Sequence, residues 1–233
     1  MEFATKCLHA GYIPKNGEPR VQPIVQSTTY TYDSAEEIGK LFDLQAAGYF
    51  YTRLANPTTN AAEEKITALE GGVATMCTAS GQSAVFYAML NILEAGDHFI
   101  SSSCVYGGTY NLFAHTFKKM GIEVSFVDQD LPLEELKKAI RPNTKAVFAE
   151  TIANPALRVL DIEKFAALAQ AAQAPLLIDN TFATPYFCRP IEFGANVLIH
   201  STSKYLDGHA IALGGSIRSE EHTSELQSPA MIS

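Results

Sequence analysis

Short apolar runs alternate with longer amphipathic stretches from about residue 60 onward. The apolar runs predict strands at 98–105, 122–127 and 146–149, and two more that begin at Leu176 and Leu198. The stretches whose apolar residues recur every three or four positions predict helices at 61–69, 82–93, 111–120, 132–140 and 162–172. Strands that alternate with helices in this way predict an α/β fold, with a mostly parallel sheet that helices cover on both faces.

The first 60 residues have a different pattern. Three prolines and a glycine between residues 14 and 23 interrupt any regular element, which predicts an extended N-terminal arm, residues 1–60. One helix is predicted within it, at 34–47, because Ser34 and Glu37 have the spacing of a capping box.

The last 16 residues, 218–233, are polar and have neither helical nor strand periodicity. They resemble translated sequencing-adapter sequence, so we interpret them as an artefactual or disordered tail. On this interpretation the native protein continues beyond Ile217 with residues that the chain lacks.

The composition of the chain argues against several classes of partner and ligand. Hydrophobic residues make up 47% of the chain and the net charge is −8, which argues against nucleic acid and against anionic membrane surfaces as partners. The four cysteines are widely spaced, as is typical of reduced thiols in a cytoplasmic protein. The histidines are scattered and lack accompanying ligands, so we expect no metal site.

Two of the predicted strands end at residues that can carry chemistry. The run from Leu176 ends at Asp179, and the run from Leu198 leads to Lys204. Open α/β sheets place their ligands beyond the carboxyl ends of strands. A lysine that can bond to an aldehyde, together with a carboxylate that can hold a protonated ring nitrogen, indicates a pyridoxal phosphate site.

Three further segments suit the same cofactor. Ser80 and Gly81 precede the helix at 82–93, where backbone N–H groups can bind a phosphate, although an ordinary helix start has the same pattern. Tyr106 follows a strand and can stack on a planar ring, although a core tyrosine is the alternative. Tyr51 and Arg53 are two residues apart on an extended segment, so both can reach the same phosphate, which can belong to a neighbouring subunit. The alternative is that both residues lie in a surface loop.

In their order along the chain, six segments resemble the Cys/Met-metabolism family of pyridoxal phosphate enzymes, which have the aspartate aminotransferase-like (type I) fold. The segments are YxRxxNPT at 51–58, SGQSA at 80–84, YGGT at 106–109, ETIANP at 150–155, DNTFATP at 179–185 and HSTSKYLDGH at 200–209. The resemblance implies an incomplete cofactor-binding large domain at 61–217. It also implies a C-terminal domain, absent from this chain, that supplies an arginine for the substrate carboxylate.

The resemblance also implies residue roles. Lys204 would bond covalently to the cofactor, Asp179 would pair with the ring nitrogen, Tyr106 would stack on the ring and Asn154 would contact the ring hydroxyl. Cofactor contacts, mostly to the phosphate, are expected from Ser80, Gly81, Gln82, Thr181, Ser201 and Ser203. Tyr51 and Arg53 would act on the adjacent subunit of a homotetramer built as a dimer of dimers, with Tyr51 among the catalytic residues beside Lys204, Tyr106 and Asp179.

The resemblance favours one activity and leaves two others open. The segments 5–11 and 106–113 are typical of members that replace the γ-substituent of an activated homoserine ester with sulfide or a thiol. Carbon–sulfur lyases of the family that act on methionine carry a cysteine where this chain has Gly108, and commonly a methionine at the position of Gln82. The alternatives are a carbon–sulfur lyase that acts on methionine or on cystathionine, and a truncated, non-catalytic cofactor-binding fragment.

Overall fold

The computed structural model describes residues 1–219. The chain packs as two units, one of residues Met1–Leu69 and one that begins at Glu70. The division predicted at about residue 60, with an incomplete large domain after it, stays a prediction.

The N-terminal unit contains more helix than the predicted arm. Ser34 caps the predicted helix as expected, since its side chain accepts a hydrogen bond from the backbone N–H of Glu37 at 3.2 Å. That helix ends before residue 47 because Leu44 adopts a left-handed backbone, with φ of 55°. The helices are α1 (Phe3–His9), which was not predicted, α2 (Ala35–Phe42) and α3 (Pro57–Glu70), which extends from this unit to the first residue of the next.

The second unit contains the predicted sheet, which has seven strands in the described residues. The spatial order is β1-β7-β6-β5-β4-β2-β3, and β7 alone runs in the opposite direction to the other six strands. The mostly parallel sheet is therefore confirmed. The strands are β1 (Ala74–Thr78), β2 (His98–Ser102), β3 (Glu123–Val127), β4 (Thr144–Glu150), β5 (Leu176–Asp179), β6 (Val197–His200) and β7 (Gly215–Ser219).

Two of these strands, β1 and β7, were not predicted. Strand β7 extends to Ser219 and buries Arg218, so the boundary predicted after Ile217 falls inside a strand. The rest of the predicted tail lies outside the described residues.

Helices cover both faces of the sheet. Helix α7 has the predicted bounds, because the side chain of Asp161 accepts from the backbone N–H of Lys164 at 3.0 Å and Gln173 ends it in a left-handed conformation. The helix predicted at 111–120 begins earlier, at Gly107, and contains a π-helical segment, Leu112–Phe117. The helices are α4 (Gly81–Leu90), α5 (Gly107–Asn111), α6 (Leu133–Leu136), α7 (Ile162–Ala172) and α8 (Thr184–Phe187). Across residues 1–219, every helix falls short of the length and apolar character that crossing a lipid bilayer requires.

Successive residues of a strand point to opposite faces of the sheet, so each central strand has buried side chains on both faces. Phe99 and Leu177 belong to the core beneath α4, whereas Ile100 and Ile178 belong to the core beneath α7. Burial on both faces explains why these strands read as continuous apolar runs. The parallel pairing also brings the carboxyl ends of β2, β4, β5 and β6 to one edge of the sheet.

Candidate active site

A cavity of about 870 Å³ lies at the carboxyl ends of the parallel strands. All of the predicted cofactor residues from Ser80 onward line it: Ser80, Gly81, Gln82, Tyr106, Asn154, Asp179, Thr181, Ser201, Ser203 and Lys204. The lining residues that were not predicted include Glu150, Phe182, Tyr205, His209 and Leu213. The volume is in the range of small-molecule and cofactor sites, about 300–1,000 Å³.

Asp179, the last residue of β5, is held by the loop that follows it. Its Oδ1 accepts hydrogen bonds from the backbone N–H of Thr181 at 2.9 Å and from the Thr181 hydroxyl at 2.5 Å. The Thr181 Oγ1 in turn accepts from the backbone N–H of Ser201 at 2.8 Å, which ties the ends of β5 and β6 together. Within residues 1–219, Asp179 Oδ2 makes no hydrogen bond and can accept one from a ligand.

Lys204 follows β6 on a short turn. Its backbone N–H donates to the Ser201 carbonyl at 3.2 Å. The hydroxyl of Ser203 accepts from the Gly214 N–H at 2.8 Å and donates to the Gly214 carbonyl at 3.1 Å, which fixes the turn against the strand that follows. The side chain of Lys204 is exposed, and in the described part of the chain its Nζ makes no hydrogen bond or ion pair. The amine is therefore available to a ligand in the cavity.

The N-terminus of α4 presents unpaired backbone donors to the same cavity. Ser80 and Ser83 form a capping box that satisfies the Ser83 N–H, and the Ala84 N–H donates to the Ser80 carbonyl. As far as the described residues extend, the N–H groups of Gly81 and Gln82 remain free for an anion, where the helix dipole favours negative charge. A Cβ at Gly81 would lie 2.5 Å from the Ser201 Cβ, so only glycine permits this close approach.

Tyr106 precedes α5 on the loop after β2. The residue is 48% exposed and lines the cavity, so its ring is accessible to a planar ligand there. A Cβ at Gly108 would lie 2.6 Å from the Tyr106 Cε1, so the ring occupies the space that a larger residue would need. The Gln82 Nε2 donates to the Thr109 hydroxyl at 3.1 Å and so links α4 to α5.

Glu150, the last residue of β4, is a buried carboxyl group in the lining of the cavity. It is 4% exposed and lies in register with Asp179 on the neighbouring strand. Burial raises the pKa of Glu150, and the Asp179 carboxylate raises it further, against the lowering effect of backbone hydrogen bonds from Tyr106 and Asn154. Burial also raises the pKa of Asp179, opposed by the hydrogen bonds from Thr181 and the charge of His200. Glu150 is the first residue of the ETIANP segment at 150–155, but its distance from Asp179 along the chain does not predict that the two residues lie side by side.

Tyr51 and Arg53 belong to the N-terminal unit. The backbone of Tyr51 pairs with Thr29, and the Arg53 guanidinium lies 5.0 Å from the centre of the Tyr51 ring. The expected contact of both residues with the phosphate of another subunit stays a prediction.

The residues around the cavity fit pyridoxal phosphate. The free N–H groups of α4 and the hydroxyl of Ser201 suit a phosphate, Asp179 Oδ2 suits a protonated ring nitrogen, and Lys204 Nζ suits an aldehyde. Among residues 1–219, no three His, Cys, Asp or Glu side chains converge as a metal ion requires.

Fold and site together define a pyridoxal phosphate enzyme with the type I fold. The model of the family described as Cys/Met metabolism PLP-dependent enzyme matches residues 4–232. The chain belongs to this family, whose cofactor is pyridoxal phosphate.

Two kinds of relative are similar to the chain. The O-acetyl-L-homoserine sulfhydrylase of Leptospira meyeri is 47% identical over 214 residues, which are 91% of this chain and 48% of that protein. An L-methionine gamma-lyase of Fusobacterium nucleatum subsp. polymorphum is 43% identical over 91% of this chain and 54% of its own length. The chain spans about half the length of the curated relatives it matches.

Solved structures agree with the fold. A Campylobacter jejuni protein assigned as an O-acetylhomoserine (thiol)-lyase superposes with a TM-score of 0.91 at 37% identity, over 97% of this chain and 55% of that one. It contains N'-pyridoxyl-lysine-5'-monophosphate. The cystathionine gamma-lyase of Lactobacillus plantarum gives a TM-score of 0.88 at 34% identity, over 97% of this chain and 57% of its own.

Proposed function

We propose that this chain belongs to an enzyme that exchanges the acetate of O-acetyl-L-homoserine for sulfide or a thiol, giving homocysteine or methionine. The observation that supports it most is the meeting of Lys204, Asp179 and the free N–H groups of α4 around one cavity. The 47% identity to an O-acetyl-L-homoserine sulfhydrylase supports the choice of substrate.

Each residue has a role that follows from its position. The phosphate of the cofactor would be bound by the Gly81 and Gln82 N–H groups and by the Ser201 hydroxyl. The Ser203 hydroxyl, which donates to the Gly214 carbonyl, would instead hold the turn that carries Lys204. Asp179 would accept a hydrogen bond from the protonated ring nitrogen and keep the proton there. Tyr106 would stack on the ring, and Asn154 would contact its hydroxyl.

Lys204 moves the protons of the reaction. Its amine would hold the cofactor before the substrate binds. Once free, the amine would take the α-proton of the substrate, remove a proton from the β-carbon as acetate leaves, and return a proton there when the thiol adds. The bound cofactor supplies an electron sink for the negative charge that forms at the substrate carbon. The bond from Cγ to the acetate oxygen breaks with its electron pair, and sulfide or a thiolate then bonds to Cγ.

Gly108 favours exchange over the elimination that lyases catalyse. A cysteine side chain at this position would collide with the Tyr106 ring where it now lies. The site therefore lacks the thiol that the resemblance associates with methionine cleavage. A homotetramer in which Tyr51 and Arg53 complete the neighbouring site, and a cytoplasmic location, belong to the same proposal. The four cysteines all lie within residues 1–219 and none forms a disulfide there, which supports that location.

The test compares Lys204→Ala with Lys119→Ala, a control at an exposed lysine outside the cavity. Both substitutions are made in the 233-residue chain and in any longer product of its gene. We expect visible absorbance of bound cofactor and sulfide-dependent release of homocysteine from O-acetyl-L-homoserine, both lost only in Lys204→Ala. Turnover by Lys204→Ala would refute the mechanism. Release of 2-oxobutyrate from methionine without added thiol would identify a lyase, and cofactor binding without turnover in any form would identify a non-catalytic protein.

A further inference from the structure

One buried carboxyl group joins the two loops that flank the cavity. The Glu150 Oε1 accepts a hydrogen bond from the backbone N–H of Tyr106 at 2.6 Å, and Oε2 accepts one from the N–H of Asn154 at 3.4 Å. Tyr106 lies in the loop after β2, and Asn154 lies in the loop after β4. The Glu150 side chain thus accepts hydrogen bonds from the backbones of Tyr106 and Asn154, the two residues that are expected to orient the cofactor ring.

The same side chain is paired with Asp179. Residues in register on neighbouring parallel strands point to the same side of the sheet, with their Cα atoms about 5 Å apart. Burial and the mutual repulsion of the two carboxylates therefore disfavour the state in which both carry a negative charge. Each carboxyl group accepts two hydrogen bonds, but those to Asp179 are 2.5 and 2.9 Å long, whereas one of the two to Glu150 is 3.4 Å long. The charge of His200 also favours the Asp179 anion, so the proton of the pair belongs on Glu150.

We propose that Glu150 is a positioning residue for the cofactor, which fixes the backbone of Tyr106 and Asn154 and leaves the negative charge of the carboxyl pair on Asp179. This inference rests on the proposed function, since it assigns Glu150 to the same cofactor site. The raised pKa of Glu150, caused by burial and by Asp179, agrees with a protonated side chain. The other titratable groups that face the pair are Tyr106, Lys204, Tyr205 and His209 around the cavity, and His200, whose charge acts on Asp179.

The decisive variants are Glu150→Leu and Glu150→Gln. Leucine removes both acceptors and leaves two backbone N–H groups unpaired, so the dissociation constant of pyridoxal phosphate should rise about 10- to 100-fold. Glutamine retains one acceptor oxygen and no charge, so it should recover part of this loss. The matched control is Glu163→Leu, at an exposed carboxylate on α7 that does not line the cavity.

Three measurements separate positioning from a purely structural role. Cofactor affinity comes from titration of the apoprotein with pyridoxal phosphate, and ring orientation comes from the visible circular dichroism of the bound cofactor. The absorbance of the bound cofactor against pH should show one ionisation fewer in Glu150→Gln than in the wild type. Thermal unfolding of each apoprotein reports the structural cost separately.

The outcomes are distinguishable. A wild-type chain that does not bind pyridoxal phosphate contradicts the proposed function itself. If the wild type binds and Glu150→Leu shows the same affinity and dichroism, only the role of Glu150 is overturned. If Glu150→Leu does not fold, Glu150→Gln decides: loss of one ionisation supports the proposal, and an unchanged pH profile overturns it.

Discussion

Replacing Gly81 with alanine should damage both stability and cofactor binding. The new Cβ would lie 2.5 Å from the Ser201 Cβ and 2.8 Å from its Cα, well inside the 3.4 Å at which ordinary contact begins. The Ser201 Cα is backbone at the end of β6, so the loop cannot rotate out of the way as a long side chain could. Helix α4 and this loop would therefore have to separate by about 0.9 Å at their closest point, the difference between 3.4 and 2.5 Å.

Two opposing effects determine how Gly81→Ala changes the free energy of unfolding, and the close contact with Ser201 makes the net change unfavourable. Alanine lowers the entropy of the unfolded chain and favours helix, which stabilises by about 0.5–1 kcal/mol. Overpacking against backbone costs about 1–3 kcal/mol. We expect a net loss of about 1–2 kcal/mol in the free energy of unfolding. The separation also displaces the Gly81 N–H from the Ser201 hydroxyl, so pyridoxal phosphate should bind at least about tenfold more weakly.

The matched control is Gly107→Ala. Gly107 also begins a helix, but a Cβ there would have nothing within 4 Å. Urea unfolding gives the stability of each variant, and titration with pyridoxal phosphate gives its affinity. Gly107→Ala should match the wild type or exceed its stability slightly. If Gly81→Ala instead matches the wild type in both measurements, the close approach at Ser201 does not limit the site.

Two further predictions concern buried polar groups of the second unit. Burial and the charge of Arg141 lower the pKa of His98 from 6.5 to about 4, so only the unfolded chain takes up this proton between those values. The free energy of unfolding should fall by up to about 3 kcal/mol as the pH drops through this window. Urea unfolding at a series of pH values measures this fall, which a His98→Gln variant should lack. If the variant shows the same pH dependence as the wild type, His98 is not its source. In the wild type, His200 Nε2 lies 2.5 Å from Glu70 Oε1, and both side chains are buried. The Glu70→Leu variant leaves His200 buried without this partner, so the free energy of unfolding should fall by about 3–5 kcal/mol. The double variant Glu70→Leu/His200→Leu should cost less than the two single changes together, and strict additivity in a double-mutant cycle would show that the pair is not coupled.

The parts of the fold that were predictable are those whose pattern is local. Strands β5 and β6 are short apolar runs, and α7 begins at Asp161 with a capping side chain, so each carries its own signal. Strand β7 was missed because its sequence is mostly polar and only its neighbours β1 and β6 make it a strand. Helix α1 was missed because the prolines that follow it suggested an irregular segment throughout.

The candidate site divides in the same way. The carboxyl ends of parallel strands meet at one edge, so the amino-acid sequence alone predicts that the residues that follow β5 and β6 lie together. The pairing of Glu150 with Asp179 is not predictable in this way, because it depends on the register between β4 and β5. A slip of one residue in that register would turn Glu150 to the other face and leave the N–H groups of Tyr106 and Asn154 without their acceptor. On the proposal that Glu150 positions the cofactor, the register between β4 and β5 therefore also determines that Asp179, rather than Glu150, would carry the negative charge beside the ring.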